Sequence, residues 1–497
     1  MSHSIAVRRP RWPKAVLAGA LSASFACAAW AQSPQSSLRL VAQTPIASAS
    51  PVVSPQELQD IAVDAYLYAY PMVLMEATRR AATHVENPIA GRAPMNAFGH
   101  RDAFPRPDGT DVAWPSADML YSSLWYDVAS QPLLIDVPSS GDRYYALSLL
   151  DMWSDEFASR GSRVSGNAAQ KFLLVGPNWH GTAPVGVDVV RSPTGTGWLI
   201  ARIQTGGPAE YAAVNQFQAG LSASPWVSSP TGMSPRSAAS SSLKPSSVTF
   251  RPGASPAEQV AMLSPEEFFS LFSELLQANP PHANDNAIVT RMQRIGLAGP
   301  QAVPYSGLDP AVRQALDEAR PLAGRRIADA VNRLGEDTNG WKIVLSGIGS
   351  YGTDYPRRAA VAYAGLGATS PEEALYPVTA IDDQGEWLEG GEDYVLHFDK
   401  GQLPPVNASW SLTVYNDKNE LVPNRGDRYT LRSTDPLKYN ADGSLDIYLS
   451  SDEPSSDTLA NWLPTPEKGK FTANMRLYWP KDSALDGAWA PPPIRQD

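Results

Sequence analysis

Between Met119 and Val128 the apolar positions Leu120, Leu124, Tyr126 and Val128 fall on one side of the chain, and Tyr121, Ser123 and Asp127 on the other. Alternation with period two is the signature of a half-buried strand. Leu133 to Val137 predicts a short second strand, and Arg143 to Trp153 a third, dense in aromatic and aliphatic residues. Pro138-Ser139-Ser140-Gly141-Asp142 between them is turn chemistry, with Gly141 free to take a positive φ. Further strands are expected at Lys171 to Val175 and Gly197 to Gln204, and a helix from Tyr211 to Leu221.

Helical periodicity takes over on either side of this block. Ser54-Pro55-Gln56-Glu57 supplies a capping serine, a proline at the first helical position and a glutamate three residues on. The apolar face that follows is Leu58, Ile61, Ala62, Ala65, Tyr66 and Ala69; Pro71 interrupts it, and helix resumes from Met72 to Ala82. Ser264-Pro265-Glu266-Glu267 is a second capping box, Asp309-Pro310 opens a helix containing Pro321, and Tyr355 to Ala364 is amphipathic. From Tyr376 onward strands return, at Tyr394 to Phe398, Ser409 to Tyr415, Arg428 to Leu431, Leu445 to Leu449 and Phe471 to Tyr478.

The predicted fold is α+β: two β-sandwich or jelly-roll-like domains, with an N-terminal helix and a helical segment between them. The expected boundaries are a signal peptide at 1–31, a flexible tether at 32–53 and an N-terminal β-rich domain at 54–225. A linker or long loop at 226–260, a helical segment at 261–348 and a C-terminal β-sandwich at 349–497 follow.

The first residues change the picture from fold to address. Arg8, Arg9, Arg11 and Lys14 precede a small-residue apolar run, Ala15 to Ala29, and Ala29-Trp30-Ala31 fits the rule for signal cleavage after Ala31. A bacterial periplasmic or secreted product is expected, and the mature chain would lose Cys27, the one cysteine, leaving no disulfide or thiol chemistry. The net charge is −11 and becomes more acidic once four basic residues leave, so nucleic acid is not an expected partner. No later apolar run is long enough to span a bilayer.

The candidate chemistry is concentrated around the first strands. Asp118 shares parity with Leu120 and Leu124, and Asp151 with Leu147 and Leu149, so each predicted strand carries an acid on its apolar face. A carboxylate turned toward a core must be paired, hydrogen-bonded or shifted in pKa, and shifted acids gather in functional clefts. In a simple meander the first and third strands run parallel, which separates the two acids by roughly 30 Å at about 3.3 Å per residue. His100, in the run Asn96-Ala97-Phe98-Gly99-His100-Arg101, is a candidate general base. Asn96, Arg101, Tyr121, Trp153 and Arg160 are candidate substrate-binding residues.

No P-loop, dinucleotide fingerprint, nucleophile elbow or zinc helix is present, so no cofactor is expected, no metal ligands are assigned and metal content is left open. Oligomeric state is open as well.

The chain resembles bacterial exported proteins that pair domain of unknown function 1254 with a C-terminal domain of unknown function 1214. The N-terminal likeness, over about Leu58 to Pro225, rests on Asn96/Phe98/His100/Arg101, Ala117-Asp118, Leu120-Tyr121-Ser122, Arg143-Tyr144-Tyr145, Leu149-Leu150-Asp151-Met152-Trp153 and Leu173 to Pro177. From Gly349 onward it rests on Tyr351 to Tyr355, Gly365-Leu366-Gly367, Pro404 to Asn407, Ser409 to Leu412, Asn424, Arg428-Tyr429, Ala460 to Leu463 and Arg476 to Pro480. The family pattern before Leu-Tyr-Ser is Asn, any residue, Asp, Thr. This chain reads Ser116-Ala117-Asp118-Met119, which loses an amide and a hydroxyl.

The resemblance implies fold and location but no reaction. The residues themselves point to a hydrolase-like enzyme acting on a small molecule or an envelope- or glycan-derived substrate. His100, Asp118 or Asp151 would activate water, and Tyr121 or Arg160 would steady the developing anion. The alternative is a non-catalytic periplasmic protein binding a glycan or small molecule, with Trp125, Trp153, Trp410 and Trp462 stacking on sugar rings.

Overall fold

A computed structural model describes residues 53–107, 114–227, 246–251, 253–424 and 426–497. The expected signal peptide, the tether up to Val52 and residues 228–245 of the expected linker lie outside the described residues. The helices are α1 (Pro55–Thr83), α2 (Tyr211–Gly220), α3 (Pro256–Met262), α4 (Pro265–Leu276), α5 (Asn286–Gln293), α6 (Pro310–Asn332), α7 (Tyr355–Gly365) and α8 (Asp482–Leu485).

α1 starts as its sequence demands: the Ser54 hydroxyl accepts from Glu57 N, and Pro55 occupies the first turn. It does not break at Pro71, which sits inside a helix of 29 residues. A proline costs a backbone hydrogen bond and crowds the preceding turn, but α1 is buried almost all round from Leu58 to Ala77. A helix apolar on every side belongs inside a core, and here α3 to α7 pack about it. Tertiary burial overrides the local signal.

The N-terminal strands are β1 (Phe98–His100), β2 (Met119–Asp127), β3 (Leu133–Val137), β4 (Tyr145–Asp151), β5 (Glu156–Gly161), β6 (Gln170–Val175), β7 (Asp188–Arg191), β8 (Thr196–Gln204) and β9 (Ser222–Pro225). They build two sheets, ordered β1-β2-β8-β4-β5 and β7-β6-β3-β9. Leu120, Leu124, Tyr126, Leu147, Leu149, Leu199 and Ile203 of the first sheet close against Ile135, Phe172 and Leu174 of the second. The strands therefore form a sandwich rather than the meander. β2 and β4 both pair antiparallel with β8, so they run parallel to each other with β8 between them.

The other face of the five-stranded sheet is shared. Trp125, Leu150 and Ile200 lie under the helices, and Met119 and Ala146 lie under the C-terminal region. That region is a second sandwich. Its strands are β10 (Glu336–Thr338), β11 (Trp341–Ile343), β12 (Ala374–Leu375), β13 (Val378–Thr379), β14 (Tyr394–Phe398), β15 (Trp410–Asn416), β16 (Thr430–Arg432), β17 (Leu445–Ser450), β18 (Trp462–Pro464), β19 (Phe471–Tyr478) and β20 (Ile494–Gln496). One sheet runs β10-β11-β13-β19-β15-β16, with β12 also on β19, and the other runs β18-β17-β14-β20. The core between them holds Leu396, Phe398, Leu412, Val414, Ile447, Met475 and Leu477.

The face of the β19–β15–β16 sheet turned away from that core is polar, and it grips the loop 114–118. Tyr415 OH donates to Pro115 O at 2.8 Å, Arg476 Nη2 to Trp114 O at 3.0 Å, and Arg432 to Ala117 O. Asp118 collects the Ser116 hydroxyl at 2.6 Å, the Ser411 hydroxyl at 2.5 Å and the Tyr478 hydroxyl at 3.0 Å, with Arg476 Nη1 3.6 Å away. Asp118 and Arg476 are both 4 % exposed. Glu373 repeats the theme, accepting from Tyr144, Ser159 and Arg163 of the N-terminal sandwich.

Two stability measurements follow. Asp118→Asn leaves Arg476 as an uncompensated buried charge, and a denaturant titration is expected to show a loss of about 3–5 kcal/mol; a loss under about 1 kcal/mol would detach this carboxylate from the joining of the two sandwiches. At Gly197, which pairs with both Tyr126 and Asp151, an added Cβ collides with the Tyr126 hydroxyl and the Leu150 carbonyl. Gly197→Ala is expected to cost about 1–3 kcal/mol through overpacking, read from the same titration.

Candidate functional site

β4 ends at Asp151 after a register shift between Leu149 and Leu150, and the chain reverses through Met152-Trp153-Ser154-Asp155 into β5. The reversal is tied by Asp151 itself: its Oδ1 accepts from Trp153 N at 2.8 Å and Asp155 N at 3.1 Å. Ser154 is held at φ 67°, is 3 % exposed and has a hydroxyl without a partner. A buried non-glycine residue in the left-handed region costs about 1–3 kcal/mol and persists only where its surroundings enforce it.

The free Asp151 oxygen, Oδ2, meets His282 Nε2 at 2.6 Å. His282 comes from the loop between α4 and α5, whose Asp285 accepts from His282 N, Tyr68 OH and Tyr355 OH at 2.9–3.0 Å. The other ring nitrogen, Nδ1, faces Asp155 Oδ2 at 3.7 Å and Arg358 Nη2 at 3.5 Å. Arg358, from α7, lies 3.0 Å from Asp155 Oδ2 without hydrogen-bond alignment, and donates to Gly352 O at 2.9 Å. Its Nε and Nη1 are buried without partners.

The two carboxylates flanking the imidazole are unequal. Asp151 is fully buried and hydrogen-bonded through both oxygens. Burial pushes the Asp155 carboxyl up to about 6, against the opposing charge of Arg358. Burial opposes charging of His282, yet the Asp151 hydrogen bond and the charges of Asp151 and Asp155 outweigh it and raise the ring above 6.5. An imidazole with a raised pKa and a carboxyl with a raised pKa thus face each other across two segments, with a guanidinium beside them. Ligand atoms of Asp151, Asp155 and His282 also lie within 4.8 Å of one another, compact enough to converge on a cation. The Arg358 charge already occupies the Asp155 side and opposes that use.

The expected site residues divide among several places. Asp118 and Tyr121 lie at the junction with the C-terminal sandwich, and Asp151 and Trp153 at the opposite end of the sheet. Thr205 N, just past the end of β8, bonds Asp118 O while Gly197 pairs with Asp151; eight residues of strand span roughly 25 Å. Neither acid sits on the apolar face its parity suggested. Asp118 precedes β2 and turns to the C-terminal sheet, and Asp151 closes β4 and turns to the helices.

His100 stands on the edge strand β1 with Nδ1 2.8 Å from Ser122 Oγ, and burial lowers its pKa. Asn96 takes φ 64° and accepts from Asp127 N, a turn role. Arg101 is exposed and uses its backbone to bond Tyr121 O. Arg160 pairs with Asp188 at 2.9 Å rather than with Asp151. Trp153 is fully buried, stacks near Tyr68 and donates to Pro280 O, while Trp125 and Trp410 are each 3 % exposed. Those rings are occupied in packing. His282, Asp155 and Arg358 were not singled out from sequence. Asp155 lies only four residues past Asp151, but His282 is 131 residues away and Arg358 looked like part of an ordinary amphipathic helix.

Among the described residues no helix is long and apolar enough to cross a membrane. The chain is similar to the VPA0106 protein of Vibrio parahaemolyticus, whose crystal structure superposes with a TM-score of 0.67 at 23% identity, covering 88% of this chain and 100% of that one. That likeness supports the fold alone. A second solved structure, an uncharacterized protein from Burkholderia cenocepacia, gives a TM-score of 0.42 at 13% identity over 89% of this chain and 93% of its own, too distant to bear on the fold. No curated protein matches. Residues 95–225 match the protein of unknown function family DUF1254, and residues 373–482 match the protein of unknown function family DUF1214. The chain therefore carries a DUF1254 region followed by a DUF1214 region, in that order.

Proposed function

We propose that this protein is an exported, hydrolase-like enzyme whose acid–base centre is Asp151–His282–Asp155, with Arg358 beside it. One observation carries the reading: a histidine with a carboxylate at each ring nitrogen, one saturated with hydrogen bonds and the other pushed up to about 6. Asp151 fixes the ring and favours its charged form. Near neutral pH the Asp155 carboxylate takes a proton from water as the water oxygen attacks an electrophilic carbon. The imidazolium of His282 gives its proton to the leaving group, and the Arg358 guanidinium steadies the intermediate anion. A small molecule or a glycan-derived fragment fits this chemistry. The basic start, the apolar run and Ala29-Trp30-Ala31 support delivery to the periplasm or beyond, with cleavage after Ala31.

The test is a panel of chromogenic esters, glycosides and phosphate esters assayed against the parent, His282→Gln and Asp155→Asn. Turnover by the parent is expected to fall by about 10²–10⁴ in either variant, with a bell-shaped pH profile in the parent. Turnover that is unchanged in His282→Gln would sink the reading; saturable binding with no turnover across the panel would favour a binding protein instead.

The same groups set a pH signature. Asp155 titrates higher folded than its ordinary 3.8, so its contribution grows more favourable as pH falls through about 6. His282 is raised as well, so its stabilisation is present below 6.5 and lost as pH rises through its folded value. Between about pH 8 and pH 5 the parent is expected to gain stability relative to an Asp155→Asn/His282→Gln double variant, measured by denaturant titration at each pH. Parallel curves would show that neither group titrates as described.

A further inference from the structure

The buried junction between the two sandwiches holds two arginines, Arg202 and Arg476, and only Arg476 has a carboxylate, Asp118, within ion-pair distance among the described residues. Tyr121 and Arg202 are direct partners across β2 and β8, with the guanidinium carbon 5.8 Å from the ring centroid. On the facing sheet, Leu375 pairs with Leu477 and Val378 with Asn474, which sets Tyr376 beside Arg476. Each sandwich thus contributes one Tyr–Arg pair to the same space, and Tyr376 feels the charges of Arg202, Arg476 and Asp118.

Asp118 lies 3.6 Å from Arg476, but Arg202 makes no ion pair with any described residue. It donates to Ser148 Oγ at 3.0 Å and Gly367 O at 2.7 Å, and reaches Glu156 only through the hydroxyls of Ser148 and Thr369. Arg202 is 7 % exposed. Burying a guanidinium without a carboxylate is costly. A donor is left over as well: Arg476 Nε is buried without a partner. The hydroxyls of Tyr121 and Tyr376 form no hydrogen bond with any described residue, although both side chains are only half-buried. Burial pushes Tyr376 up to about 12 despite Arg202, so at neutral pH its hydroxyl is a donor.

A surface cavity of about 660 Å³ at this end of the sheet is lined by Arg143, Gln204, Gly206, Glu210 and Thr434 among others, and by none of Tyr121, Arg202, Tyr376 and Arg476. Gln204 lies two residues from Arg202 along β8. We infer that the Tyr121–Arg202 and Tyr376–Arg476 pairs form a binding site for a small oxyanion, a carboxylate or phosphate group. Two guanidiniums and two phenol hydroxyls supply the charge and the directed donors that such a group accepts. The site is separate from the acid–base centre at the other end of β4.

The test uses the full chain, with thermal melting and calorimetric titration against inorganic phosphate and acetate, and chloride at matched ionic strength as reference. At least one oxyanion is expected to raise Tm saturably beyond chloride; which one does so names the class. Tyr376→Phe, which keeps the ring and removes only the hydroxyl, and Arg202→Gln are each expected to weaken binding about tenfold or more. If Arg202→Gln does not fold, Tyr376→Phe decides alone. No shift beyond chloride with either oxyanion, or equal binding by the parent and Tyr376→Phe, overturns the inference.

Discussion

The two sandwiches are joined through a carboxylate that neither could bury alone. Asp118 comes from the loop before β2, but its hydroxyl partners Ser411 and Tyr478 and its cation Arg476 come from β15 and β19. The polar face of the C-terminal sheet would be a poor surface to bury without acceptors, and the carbonyls of Trp114, Pro115 and Ala117 supply them. Hydrophobic area gives each sandwich its own core, and hydrogen-bonded polar groups set how one sits on the other. A saturated carboxylate of this kind has no capacity left for chemistry, which is why the acid–base reading moves to the far end of the sheet. There Asp155 retains an oxygen without an aligned donor and a shifted pKa.

Much of this fold is legible in local sequence because its signals are local. Period-two alternation marks β2, and the bounds of β3, β14 and β19 follow from apolar runs ended by turn residues. Ser54 and Ser264 cap α1 and α4 with the geometry their spacing implies. Where the local signal misleads, long-range packing is the reason. Pro71 reads as a break, yet the burial of α1 on all sides keeps the helix continuous. β9, Ser222–Pro225, is not among the predicted strands because its side chains carry no apolar alternation; what makes it a strand is backbone pairing with β3.

The site is less legible for the same reason. Asp118 and Asp151 stand out as acids among apolar neighbours, and both are indeed buried and bonded. Parity then misdirects them, because each lies where strand geometry ends and the side chain is free to turn. The partners that give them meaning, Arg476, Ser411, His282 and Arg358, come from distant parts of the chain. No spacing rule connects His282 to Asp151 across 131 residues; only the packing of the α4–α5 loop under α7 brings them together. It is β8, lying between β2 and β4, that makes them parallel and sets the two acids at opposite ends of the sheet, where they cannot share a site.

The candidate centre depends on His282, clamped between Asp151 and Asp155, holding its proton more tightly than a free imidazole. The most direct measurement is the NMR titration of the His282 imidazole in the full chain, alongside Asp151→Asn. The expected midpoint lies above 6.5 in the parent and falls when Asp151 is neutralised. A midpoint at or below 6.5 that Asp151→Asn leaves unmoved would mean that Asp151 does not hold His282 in its charged form.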